Sequence, residues 1–562
     1  MTLPAVEQLL ASALAHHQAG QLQEAEVGYR QVLDQEPGNC NALNLLGTLA
    51  YQTGHWEAAQ DLISRAIKAQ PDYAEAYCNL GVLQEGQARF VEAAASYRLA
   101  IEIEPGLVQA HHNLGKVLLE QGLAQEAVAC FERVVAAKPD SAKDFSGLLC
   151  NLHYPSGITQ ATLWQRHREF NTRFAHPLSA AALPHGRSNE PARRLRIGYV
   201  SADLRDHSVS FFFEPVLAAH LREQFEVVCY SGTTRPDAVT ARLREHADLW
   251  RDTPTLSDAD MADLIRQDRI DILVDLSGHT LGNRLLVFAR KPAPVQVSWL
   301  GYIDTTGLDA IDYGIWDAFT VPPGNERWFS EKVVRLAHGR FCYAPPDYAP
   351  EVAPLPALQR GHVTFGCFNN PAKISPETIA LWAKLLHAVP HSHLLLKMTS
   401  LSDAQVRQHY LDLFSATGIA TERIELRGAS AHAEMLAEYG DMDIALDPFP
   451  FSGGLTSCEA LWMGVPVITL PGELPASRQT LGYLSLLQLG SLAADSEESY
   501  LNNAAELGRD LDYLQLLRQT LRQKMRTSPL CDATAFTHEL EQAYRQMWQT
   551  WCKNDTTNAP SI

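Results

Sequence analysis

The chain lacks any apolar run near the roughly 18–20 residues that a membrane-spanning helix needs, so no membrane partner is expected. It is also short of positive charge: 46 Lys and Arg stand against 65 Asp and Glu, leaving −19 over 562 residues. Such a surface repels phosphate backbones, and nucleic acid is excluded as a partner. Ten cysteines are scattered without a C-x-x-C pair, which removes a zinc ribbon and argues against a disulfide framework. The opening MTLPAVEQLL has neither a basic n-region nor a cleavage site, so no signal peptide is expected and the reading is cytoplasmic. Also missing are G-x-G-x-x-G, G-x-x-x-x-G-K-[ST], G-x-S-x-G and H-E-x-x-H. Dinucleotide-binding, P-loop, α/β-hydrolase and zinc-protease readings thereby lose their main support. What remains is the composition of a soluble globular protein, 46% hydrophobic and 20% charged, too long for one core and expected to hold two to four domains.

The first 140 residues repeat. Pro37, Pro71, Pro105 and Pro139 are 34 residues apart, and so are Ala25, Ala59, Ala93 and Ala127. Tyr29, Ile63, Tyr97 and Phe131 keep the same phase, as do Leu46-Gly47, Leu80-Gly81 and Leu114-Gly115. A 34-residue unit with small residues inside two helices and a closing proline resembles the tetratricopeptide repeat. Residues 1–150 are expected to form about four repeats and a capping helix, stacked into a superhelix with a concave groove. That groove suits docking of a protein or peptide; a spacer or dimerisation module is the alternative.

Beyond an irregular helical linker (151–190), short apolar runs alternate with amphipathic segments, the pattern of parallel βαβ units. Strands are expected at 195–200, 225–230, 270–275, 295–300 and 311–316, within a lobe spanning 191–345. A proline-rich linker follows at 346–360, with five prolines between Pro345 and Pro356. A second lobe (361–530) has strands expected at 363–367, 393–397, 423–427, 444–446 and 466–470, and a terminal helix occupies 531–562. The fold class is thus α plus α/β, repeats followed by two Rossmann-like lobes with a cleft at the carboxyl ends of their strands.

Three loops at strand ends carry polar chemistry. In Phe365-Gly-Cys-Phe-Asn-Asn-Pro-Ala-Lys373-Ile-Ser-Pro-Glu377, a strand ends and a helix begins at Ser375 with Pro376 in its first turn. Lys373 beside that N-terminus makes a phosphate site, against the alternative of a solvated lysine. In Asp447-Pro-Phe-Pro-Phe-Ser-Gly-Gly-Leu-Thr456-Ser-Cys-Glu459, Gly453 and Gly454 admit a ligand to the backbone. Thr456 can donate to an anion, and Glu459 can accept from ribose hydroxyls; a helix capped by its own threonine is equally compatible. In Tyr199-Val-Ser-Ala-Asp-Leu-Arg-Asp-His207, His207 follows the first strand and is expected to project into the cleft as proton acceptor or hydrogen-bond donor. Asp441-Met-Asp443 has the form of a metal-binding D-x-D, but it runs into a strand, and solvated residues at a strand start are expected instead. The site is therefore read as metal-independent.

Together with Leu195-Arg-Ile-Gly-Tyr-Val-Ser201, Pro292-Ala-Pro-Val-Gln-Val-Ser-Trp-Leu-Gly-Tyr302, Leu461-Trp-Met-Gly464, Pro471-Gly-Glu-Leu-Pro-Ala-Ser-Arg478 and the tail Ser528-Pro-Leu530 to Met547-Trp548, these motifs make the chain resemble the protein O-GlcNAc transferases, in a bacterial version. The resemblance implies an inverting, metal-independent GT-B transferase that takes UDP-GlcNAc as donor and uses no further cofactor. By it, Lys373 neutralises the departing diphosphate and Asn370 lies at the nucleotide. Ser430, Ala431 and His432 meet the uracil with Met435 one turn on, and Gly454, Leu455 and Thr456 hold the phosphates. Glu459 takes the ribose, and His207 is the counterpart of the histidine proposed as base. Animal members carry Gln, Lys, His and Asp at the places of Asn370, His432, Gly454 and Glu459. An O-fucosyl or Asn-linked hexosyl transferase on the same fold, and a nucleotide-sensing scaffold, remain the alternatives.

Overall fold

The computed structural model describes residues 3–180, 185 and 190–557. The end of the linker expected at 151–190, the last five residues of the terminal helix and the first two of the opening segment lie outside them. The chain divides into two compact units, residues 1–139 with 398–412, and residues 140–397 with 413–562.

In the first unit eight helices form four antiparallel pairs, from Leu3–Gln18 with Leu22–Gln35 to Val108–Glu120 with Ala124–Ala137. The 34-residue period has a packing cause. Ala25, Ala59, Ala93 and Ala127 are fully buried. A methyl group on Gly47, Gly81 or Gly115 would sit within 2.8 Å of Ile63, Tyr97 or Phe131 on the paired helix, so glycine is what lets each pair close. Between pairs, the Asn79 amide donates to the Asn44 carbonyl oxygen at 3.0 Å.

The second unit carries two parallel sheets. The first contains β1 (Leu195–Ser201), β2 (Phe225–Ser231), β3 (Leu249–Asp252), β4 (Ile272–Asp275), β5 (Val295–Ser298), β6 (Tyr313–Trp316) and β7 (Lys332–Arg335), in the order 3-2-1-4-5-6-7. The second contains β8 (Thr364–Cys367), β9 (His393–Lys397), β10 (Ile424–Arg427), β11 (Ile444–Leu446) and β12 (Val467–Ile468), in the order 10-9-8-11-12. The order reverses between β1 and β4 and again between β8 and β11. At such switch points the loops diverge and leave a crevice for ligands.

Two strands were not expected from the sequence. β3 and β7 are the edges of the first sheet, and Leu-Trp-Arg-Asp and Lys-Val-Val-Arg have no apolar run because one side faces water. Residues 344–356 form no helix or strand. Their backbone is pinned at Ala344, whose N–H donates to the Phe211 carbonyl, and at Pro350, whose carbonyl accepts from Arg522. The C-terminal helix Ala533–Thr557 returns to the first lobe, where buried Glu541 accepts from His220 at 2.8 Å and from the Leu221 N–H at 2.9 Å.

The reading of Asp441-Met-Asp443 as solvated is corrected for Asp443. That carboxylate is fully buried and accepts the N–H groups of Ala357 and Thr364 at 2.9 and 2.8 Å, bracing the start of β8. Asp441 is ion-paired with Arg427 and Arg360. Both carboxylates are thus committed to protein cations and amides.

Candidate functional site

The second lobe's site is assembled where the order reverses between β8 and β11. After β11 the chain turns at Asp447, whose buried carboxylate accepts the Gly453 N–H and the Thr469 hydroxyl, each at 2.6 Å. Burial pushes the Asp447 carboxyl up from its ordinary range, and those hydrogen bonds oppose the shift. The loop is drawn so tightly that a methyl group on Gly453 would meet the Ser457 hydroxyl at 2.2 Å. It delivers the chain into the helix Leu455–Trp462, which has no side-chain cap at Gly454. The amides of Gly454, Leu455 and Thr456 therefore open the helix without an intrahelical acceptor, carrying its positive end. The Thr456 hydroxyl donates to Asn369 at 2.9 Å, tying this helix to the loop after β8.

Lys373 comes from that β8 loop, at the end of the short turn Pro371–Lys373. The helix beyond it starts at Pro376, with the Ser375 hydroxyl capping Thr378. The Lys373 ammonium donates to the Ser452 carbonyl at 2.8 Å and lies 4.2 Å above the Phe451 ring. Phe451 in turn stacks on Tyr154 at 5.1 Å. Burial lowers the Lys373 pKa to about 8, with Asp447 pulling the other way. It remains mostly cationic at neutral pH, yet it makes no ion pair within 4 Å among the described residues. A desolvated cation beside an uncapped helix N-terminus has the chemistry that suits an anion. Asn370 is exposed and its side chain caps the Lys373 turn through the Ala372 N–H at 2.9 Å.

Four further residues come from the β10 side. The Ser430 hydroxyl donates to Glu438 at 2.9 Å. Ala431 begins the helix His432–Glu438, and its carbonyl accepts from the half-buried Met435 at 2.8 Å. His432 crosses to buried Glu459 at 2.8 Å through Nε2, and its Nδ1 meets the Tyr348 hydroxyl at 2.7 Å. The hydrogen bond to Glu459 raises the His432 pKa, against burial. Its ring packs 5.4 Å from Phe211 of the first lobe, so the strap residue Tyr348 and both lobes meet at one imidazole.

His207 caps the helix Ser208–Ala219, with Nδ1 accepting from the Val209 N–H at 3.3 Å. That places the proton of a neutral ring on Nε2, which lies 3.8 Å from Asp203. Burial lowers its pKa and Asp203 opposes. Neighbouring Asp206 acts electrostatically on both Tyr348 and His432, so the β1 loop faces the same end of the cleft. No hydrogen bond joins His207 to Lys373 among the described residues. Geometry thus gathers Lys373, Asn370, Gly454, Leu455, Thr456, Glu459 and His432 on connected loops. Ser430, Ala431 and Met435 sit at the margin and His207 stands on the opposite lobe.

Sequence reasoning passed over Asn369, Asp447, Ser452, Phe451 and Tyr348. Asn369 and Asp447 were visible as polar residues directly after apolar strands. The role of Tyr348 depends on a contact spanning 84 residues. It also missed the buried histidines behind the first lobe. His279 bonds to Ser146 and to the Thr306 carbonyl, His167 to the Tyr302 hydroxyl, and His153 to Asp304. These fasten the helices Ala142–Asn151 and Gln160–Phe170, and the turn between them, to the loops after β4 and β5.

Two open parallel sheets preceded by helical repeats, with an uncapped helix N-terminus beside a desolvated lysine in the second lobe, define a repeat-bearing protein of GT-B fold. Comparison with known proteins narrows this. The chain belongs to glycosyl transferase family 41, matched over residues 155–344 and 356–540, and tetratricopeptide repeats are matched over 44–108 and 83–149. It is 41% identical over 423 residues to the probable UDP-N-acetylglucosamine–peptide N-acetylglucosaminyltransferase SPINDLY of Solanum lycopersicum, covering 74% of this chain and 45% of that protein. It is 34% identical over 393 residues to the similarly named SEC of Arabidopsis thaliana, covering 67% and 39%. The chain thus spans less than half the length of these curated relatives. Among solved structures, a mutant O-GlcNAc transferase from Thermobaculum terrenum aligns with a TM-score of 0.83 and 40% identity, over 92% of this chain and 98% of that one.

Proposed function

We propose that the chain is an inverting glycosyltransferase that moves N-acetylglucosamine from UDP-GlcNAc to Ser or Thr hydroxyls of proteins docked on the repeats. The observation that carries this reading is Lys373, a desolvated cation with no carboxylate in contact among the described residues, beside the uncapped N-terminus at Gly454–Thr456. As the sugar–phosphate bond breaks, negative charge develops on UDP, and a fixed cation with aligned amides is what stabilises it. In this reading Gly454, Leu455 and Thr456 hold the diphosphate and Glu459 takes the ribose. Asn370, Ser430, Ala431, His432 and Met435 border the nucleoside.

His207 faces the cleft from the other lobe. With Nδ1 engaged as a cap, its Nε2–H orients the acceptor or donor, and it serves as base only after the tautomer shifts. The leaving-group charge is met by Lys373 and the amides, so the mechanism assigns no divalent metal. No group of three His, Cys, Asp or Glu among the described residues has the geometry to hold one. No helix of the described residues is long and apolar enough to cross a membrane; the reading places the reaction in the cytoplasm.

The test is mass spectrometry of host lysate proteins incubated with UDP-GlcNAc, other UDP-sugars and GDP-fucose in EDTA. Addition of one N-acetylhexosamine to Ser or Thr, absent with Lys373→Ala, is the expected result. Transfer only from GDP-fucose would replace the donor assignment. Mn²⁺-dependent transfer would overturn the metal-free mechanism.

A further inference from the structure

The amino-terminal edge of the second sheet, opposite the donor loops, carries a second basic cavity. It has a volume of about 570 Å³ and is lined by His362, His387, His391, His393 and Arg423, with Leu386 and Pro390 as its apolar walls. His362 precedes β8, His393 opens β9, Arg423 immediately precedes β10, and His387 lies in the last turn of the helix Pro376–Ala388. No carboxylate lines it, in a chain whose net charge is −19.

Arg423 spends Nε and Nη2 on the carbonyls of Ser392, Leu386 and Val389. It thereby covers the negative end of that helix. Among the described residues its Nη1 has no acceptor and its charge no carboxylate in contact, and burial lowers its pKa. His362 and His393 stack face to face at 4.0 Å and 25°. Ring nitrogens lie in the ring plane, so stacked rings do not converge on one ion, and no three-ligand metal set is present among the described residues. A metal is therefore disfavoured. Stacked imidazoles repel when both are charged, and an anion between them and Arg423 relieves that repulsion. The other ionisable groups near His393 are already committed: Arg360 to Asp441 and Glu425 to Arg427. Arg509, from a neighbouring helix, donates to the Ala388 carbonyl and adds positive charge. His387 meets the Thr417 carbonyl at 2.9 Å.

We propose that this pocket binds a phosphate-type oxyanion, free or carried by a small organic molecule, at a site separate from the donor cleft. The inference does not depend on the transferase reading. Burial, then His362 and Arg423, hold the His393 pKa below its ordinary value; a bound anion opposes that shift, so affinity rises as pH falls.

The test is calorimetric titration of the full chain carrying Lys373→Ala, which weakens anion binding at the cleft. Sulfate is the probe because it stays dianionic from pH 6.0 to 8.0. One site, several-fold tighter at pH 6.0 than at pH 8.0, is expected, since one pKa unit of coupling to a single imidazole sets an upper bound of about tenfold. Adding His387→Ala with His391→Ala, both exposed, should weaken it at least about tenfold; Arg423→Gln should do the same, with a melting curve to confirm that it folds. A parallel titration with a hexose 6-phosphate separates the sources: tighter binding than sulfate means an organic phosphate, equal binding the bare ion. Equal affinity at both pH values, or affinity untouched by the histidine pair, would overturn the proposal.

Discussion

Lys373→Ala is the most informative perturbation of the donor site. In the proposed reaction the ammonium faces a charge that grows on the leaving diphosphate. At a separation of about 4 Å and an effective dielectric of about 20, a unit charge contributes about 4 kcal/mol. Part of that acts on the bound donor already; if most of it is realised in the transition state, turnover falls roughly a thousandfold. The fold should be spared, because among the described residues Lys373 makes one hydrogen bond, to Ser452, and one ring contact. The pH profile supplies a second readout. A pKa of about 8 means that kcat/KM, which reports the free enzyme, declines as pH rises above 8 and falls tenfold per unit thereafter. Bound diphosphate raises that pKa, so kcat holds to higher pH. The assay is sugar transfer to a host acceptor with melting curves of both proteins. Turnover within tenfold of wild type, with an intact melt, would refute the assigned role.

Gly453→Ala forces a methyl group to within 2.2 Å of the Ser457 hydroxyl and 3.1 Å of Asp447 and Thr456; Ser457 or the loop must move, and UDP affinity by calorimetry should drop about tenfold. Glu459→Gln removes the main cause of the raised His432 pKa, so the His432 C2 proton, followed by NMR, should titrate at lower pH than in wild type. His167 is fully buried and its pKa is lowered by burial to about 4. The unfolded chain takes up a proton near pH 6.5 that the folded chain refuses. Stability is therefore complete above pH 6.5 and is lost as pH falls towards 4, by up to about 3 kcal/mol. Melting temperatures from pH 7 to 4.5 should fall more steeply for wild type than for His167→Gln, and parallel slopes would remove His167 as the cause.

The repeats were legible because their packing is periodic: each glycine meets one large side chain of the paired helix, 16 residues further on. The central strands were legible because burial on both faces demands continuous apolar runs, and the edge strands β3 and β7 were not. Within the site, Lys373, Thr456 and Glu459 were legible as polar residues on strand-to-helix loops. Asp443 was misread because its satisfaction lies in two amides 79 and 86 residues away, which no local pattern announces. The sequence by itself determined the stack of helix pairs, the two parallel lobes and the chemistry available at their strand ends, since each follows from hydrophobic period and backbone demand over a few tens of residues. Tertiary structure alone decided that Asn369 would anchor Thr456, that His432 would join Glu459 to Tyr348, and that Lys373 would be desolvated over Phe451. Those contacts span up to 87 residues, and their energies depend on burial, which exists only once the whole chain has closed around them.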